Sequence, residues 1–148
     1  MARAAVYDAL INDPTLQSMG FDDKSILVNY NADQRPTDTM FINLHWDREV
    51  PGVSGDDVFD IMIKNLIVWV HMYKQFSTDF VRIDDFLDAI DNCLYALINV
   101  PGADGMTLSQ VNPGPGASRS RDMRDDSYQT ICRSVSYRII DNHTSAMV

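Results

Sequence analysis

The longest apolar run in the chain covers residues 65–73, Asn-Leu-Ile-Val-Trp-Val-His-Met-Tyr. Branched and aromatic side chains dominate it, and these suit a pleated surface. As a strand it turns Leu66, Val68, Val70 and Met72 to one face and Ile67, Trp69, His71 and Tyr73 to the other. Apolar bulk on both faces predicts a central strand covered on both sides. A helical stripe through Ile61, Met62, Leu66, Trp69 and Tyr73 competes, and periodicity alone does not decide between them. Composition favours the strand, starting as early as Phe59. Trp69 and Tyr73 then belong either to the core or to a subunit interface.

The same alternation predicts further strands. Residues 25–30 place Ile26 and Val28 on one face and Leu27 on the other. Residues 39–46 alternate Met40, Ile42, Leu44 and Trp46 with Phe41, Asn43 and His45. The link between these two runs is short and polar, so a hairpin or a neighbouring pair is expected. Residues 106–111 form a short strand, and residues 128–140 a long one with Ile131, Val135, Tyr137 and Ile139 on one face.

The helical rhythm of i, i+3, i+4, i+7 is clearest over residues 83–98, through Ile83, Phe86, Leu87, Ile90, Leu94, Leu97 and Ile98. Asp84, Asp85 and Asp88 would sit in its first turns, where the helix dipole favours negative charge. An Ala-rich helix over residues 2–11 buries Val6, Ala9 and Leu10. Asn12-Asp13-Pro14 ends it, Asp13 caps a second short turn with Pro14 at its first position, and Gly20 closes that turn.

Residues 47–57 read as a charged surface loop, residues 112–126 as a mobile Pro/Gly/Arg loop, and residues 142–148 as a frayed tail. The sum is one α+β domain over residues 1–148. Its two layers are a mostly antiparallel or mixed sheet of about five strands and the 83–98 helix packed across it, with a short N-terminal helix.

Composition narrows the partners. The 148 residues carry 21 acidic against 12 basic side chains, a net charge of −9. That argues against a protein that grips nucleic acid through its surface, yet it is compatible with a wall past which DNA slides. Residues 1–8 lack the apolar core of a signal peptide, and Lys64, Asn65, His71 and Lys74 interrupt the longest apolar run, so no membrane span is expected and a cytosolic origin is. Cys93 and Cys132 have no metal-site spacing and read as free thiols.

Candidate chemistry is thin. His45 and His71 would face each other if their strands pair, but no acidic or cysteine spacing completes a metal site. Ser54 in Val53-Ser54-Gly55 lacks the turn that a nucleophile needs. The Asp pairs at 22–23, 56–57, 84–85 and 125–126 read as caps and solvated loop ends. Gly114 and Gly116 lack the lysine and spacing of a phosphate loop. The basic concentration is Arg119, Arg121, Arg124, Arg133 and Arg138. It reads either as a partner-binding surface, ordered by salt bridges or phosphates, or as a solvated loop. No catalytic, cofactor or metal residues are assigned.

Four stretches nevertheless form a pattern. They are Asn12-Asp13-Pro14 with Leu16, the run from Phe41 to Trp46, the run from Asn65 to His71, and the run from Asp126 to Arg133 continuing to Tyr137-Arg138. In that order they resemble the tail terminator proteins of long-tailed bacteriophages, particularly those of actinobacterial hosts. The resemblance implies a virion subunit, assembled in the host cytoplasm as a homo-oligomeric and commonly hexameric ring. Such a ring caps the tail tube protein, stops its polymerisation and presents a surface to a head completion or connector protein, while DNA passes through it. It implies no enzymatic activity, no cofactor and no membrane. Ring contacts would draw on the 47–57 and 112–126 loops, the arginines above, and Trp69 and Tyr73. The runner-up readings are another neck protein (a head–tail connector or head closure protein), a small hydrolase using His45 or His71, and an intracellular binding domain.

Overall fold

A computed structural model of the chain describes residues 2–28, 36, 39–46, 50–51, 60–97, 107–112 and 119–143. Two helices open it, α1 (Ala2–Asn12) and α2 (Pro14–Ser18). The break between them is local chemistry. Pro14 cannot donate to α1, and the Asp13 carboxylate accepts from the Leu16 amide at 3.0 Å to cap α2. Gly20 then turns the chain at φ +104°.

Strands β1 (Ile26–Val28), β2 (Met40–Trp46), β3 (Val50–Pro51) and β4 (Asp60–Tyr73) follow, then α3 (Phe80–Tyr95). Strands β5 (Thr107–Asn112), β6 (Met123–Asp125) and β7 (Thr130–His143) complete the fold. The sheet runs β1-β2-β4-β7-β5, with β3 pairing β4 and β6 pairing β7. β3 extends the row of β2 along β4, with one more residue on its side than on β4: Trp46 pairs Leu66 and Val50 pairs Ile63. β5 and β6 share the opposite row along β7. Asn112 opposes Arg138, Arg119 bridges Val135, and Met123 opposes Cys132. Five positions are therefore filled by seven segments.

The α+β class, the mixed sheet, the long helix and the short N-terminal helix agree with the sequence. The 65–73 run is strand, at the heart of β4, which pairs with all of β7 from Asp60↔His143 to Tyr73↔Thr130. At about 3.4 Å per residue that ladder of 14 residues is about 48 Å long. The 16 residues of α3 span about 24 Å, so this helix can cover at most about half of that length.

Several expectations change. β1 and β2 are neighbours but parallel, Ile26 opposite Ile42, so they do not form a hairpin. α3 begins at Phe80, three residues before the predicted start, because Asp79 caps it by accepting from the Val81 amide at 2.9 Å. Asp84, Asp85 and Asp88 thus lie past the first turn. The 112–126 loop is partly sheet: Asn112 belongs to β5, Arg119 bridges β7, and β6 forms a hairpin with β7. Residues 113–118 lie outside the described residues, as do 47–49 and 52–57 of the other loop. The final strand runs on to His143, and residues 144–148 lie outside the described residues.

The two faces of the sheet differ. On one, Ile26, Met40, Ile42, Leu44, Leu66, Val68, Val70, Met72, Ile131, Val135, Tyr137 and Ile139 are buried against Val6, Leu10 and Leu16 and the α3 stripe Ile83, Phe86, Leu87, Ile90 and Leu94. The other face holds a small separate cluster of Leu27, Phe41 and Tyr73 with Tyr128 packed on it. No helix covers this second face among the described residues, so the expected two-sided cover of β4 is not found there. Self-packing of aromatic rings replaces a second layer.

Candidate interaction surfaces

The predicted surface residues divide among three places. The first is a polar seam between α3 and the β5/β6 edge. Asp84, Asp88 and Asp91 recur at i, i+4, i+7 and so share one stripe of α3. Arg119 reaches this stripe because its bridge partner Val135 faces the helix. Its Nη2 donates to Asp88 at 2.7 Å and to Asp91 at 2.6 Å. Arg133 shares that face of β7, pairs with Asp84, and donates through Nε to the Ser120 carbonyl at 3.0 Å. The Tyr137 hydroxyl donates to Asp91, which is buried. Burial raises the Tyr137 pKa, and the bond to Asp91 and its negative charge raise it further. For Arg119, burial pulls downward, but the bonds and charges of Asp88 and Asp91 outweigh it and the net shift is upward. Arg119 and Arg133 are therefore engaged within their own chain. The seam is a clamp of charge-assisted hydrogen bonds between α3 and the sheet edge.

The second place is the helix-free sheet face. Phe41 is fully buried beneath its neighbours. It stacks on His71 with ring centroids 4.6 Å apart and planes 6° apart, and Tyr128 meets it edge-on at 5.7 Å. His71 Nδ1 and the Thr130 hydroxyl share a hydrogen bond at 2.8 Å. Trp69 is half-buried, 6.1 Å from the His71 ring, and Arg138 is exposed on the same face. Tyr73 is buried in the cluster. His45 and His71 do not face each other, since His45 opposes Ile67 and His71 opposes Phe41. Among the described residues no group of His, Cys, Asp and Glu could hold a metal ion. Ser54 lies outside the described residues.

The third place is a cleft of about 560 Å³ between Phe80 at the start of α3 and Arg121, Asp122, Met123 and Arg124 of the edge segment. Arg121 and Arg124 are exposed. Phe80 precedes the apolar stripe that predicts the helix from Ile83, and the sequence signal beside it is the pair of apolar residues Phe76 and Val81.

No protein-family model and no curated protein matches the chain. Among the described residues no helix is long and apolar enough to cross a membrane.

Proposed function

We propose that the chain is a structural subunit of a long-tailed phage neck, a tail terminator. It assembles as a ring, most simply a hexamer, on the end of the tail tube. There it stops polymerisation of the tube protein and offers the surface to which a head completion or connector protein joins, and DNA later passes through its lumen. In this role it has no enzymatic activity and needs no cofactor.

One observation carries the reading. Three of the four stretches with the resemblance are neighbours in space: β2, the centre of β4, and the turn and strand of the β6–β7 hairpin are consecutive in the sheet, while the fourth lies at the junction of α1 and α2. Those three stretches form one continuous structural unit. The helix-free face of that unit adds support. A ring subunit must bury surface on both neighbours, and half-buried Trp69 beside the Phe41–His71–Tyr128 group is the kind of aromatic surface that interfaces favour.

The test is genetic and physical together. Loss of the gene in its phage is expected to give overlong tails. Tails of normal length without heads would replace this reading by a connector. Light scattering with negative-stain imaging of the purified protein, alone and with tail tube protein, is expected to show rings. A monomer in both conditions overturns the proposal.

A further inference from the structure

We propose that the cleft between the start of α3 and the β6 edge is a docking site for an acidic protein segment that also carries apolar side chains. The inference does not depend on the tail role.

Three observations meet at this end of the fold. Arg121 and Arg124 border the cleft, and neither makes an ion pair among the described residues, whereas Arg119 and Arg133 a few positions away are both engaged by α3 carboxylates. Arginines without an ion pair among the described residues are notable on a chain of net charge −9. The exposed large apolar side chains of the described residues, Phe76 at 40% and Val81 at 64% exposure, flank the cleft-lining Phe80 in sequence. Lastly, Arg82 lies over the Phe76 ring at 5.0 Å, so a third guanidinium borders the apolar patch.

The chemistry selects the occupant. Guanidinium groups offer planar forks of donors that match carboxylates. Exposed Phe76 and Val81 gain from burial only against apolar groups. A segment mixing Asp or Glu with Leu or Phe satisfies both requirements, whereas a nucleic-acid backbone satisfies the first alone. The remaining nine basic residues do not offset the 21 acidic ones, so a polyanionic duplex would meet an overall negative field. A short segment carries few charges and is screened from charges beyond about 8 Å at physiological salt, and among the residues lining the cleft Arg121 and Arg124 outnumber Asp122.

The experiment uses the full chain and a fluorescein-labelled peptide of about ten residues in which Asp and Glu alternate with Leu and Phe. Anisotropy is expected to show saturable binding that weakens about tenfold between about 50 and about 300 mM salt. Arg121→Glu with Arg124→Glu is expected to weaken binding by about tenfold or more, and Val81→Ser by a smaller factor. Arg138→Glu, on the helix-free sheet face, is expected to change nothing. Unchanged melting temperatures show that each variant is folded. No binding, equal loss in Arg138→Glu, or tighter binding of a labelled DNA duplex than of the peptide overturns the proposal.

Discussion

At the scale of single residues, Asp91 is the side chain on which most depends. It is buried at 2% exposure and receives Arg119 and Tyr137. Removing one member of a buried charge pair leaves the other uncompensated, which typically costs about 3–5 kcal/mol. Asp91→Ala is therefore expected to shift the urea unfolding midpoint steeply downward. Asp88→Ala, whose carboxylate is 63% exposed, should cost under about 1 kcal/mol. Equal losses from the two variants would contradict this ranking. Cys93 makes a second prediction. Burial, and then the charge and hydrogen bond of Asp13, push its thiol from 9.0 up to about 12. Above about pH 9 the unfolded chain releases this proton and the folded chain keeps it. Stability is thus complete below pH 9 and is lost as pH rises toward 12. Cys93→Ala should flatten the fall of unfolding free energy across that window and leave its course below pH 8 unchanged.

At the scale of elements, local backbone chemistry sets the boundaries. Asp79 caps α3, and Asp79→Ala is expected to cost about 1 kcal/mol, read as a lower midpoint in thermal or urea unfolding. Gly20 stands at φ +104°, a conformation that side chains rarely adopt. A Cβ there would lie 3.1 Å from the flexible end of Met40, so backbone strain dominates over collision. Gly20→Ala is expected to cost about 1–2 kcal/mol. These caps and turns follow from short sequence words such as Asn12-Asp13-Pro14. The start of α3 did not, because Phe80, Val81 and Arg82 precede the buried stripe and only Asp79 marks the true beginning.

At the scale of the whole molecule, the two sheet faces predict opposite behaviour. Leu66→Ala, on the helix-covered face, opens a cavity in a fully buried site and should cost about 2–5 kcal/mol. Trp69→Ser, on the helix-free face, should cost less because Trp69 is only half-buried, and under the proposed ring role it should shift the protein from ring to monomer in light scattering. A Trp69→Ser variant that unfolds as readily as Leu66→Ala would make Trp69 a core residue instead.

Much of this architecture was legible in the chain by itself. Period-two alternation marks β2, β4 and β7, and the 3.6-residue stripe marks α3, because burial of one face imposes those rhythms on any sequence. Only the tertiary structure decided the rest. Parallel pairing of β1 with β2 is a matter of chain path, on which alternation is silent. The arginines look alike in sequence, yet strand register sends Arg119 and Arg133 under α3 and leaves Arg121, Arg124 and Arg138 in solvent. The 65–73 run is apolar on both sides, but which side receives the helices depends on distant segments packing against it. Long-range contacts of that kind leave no local mark.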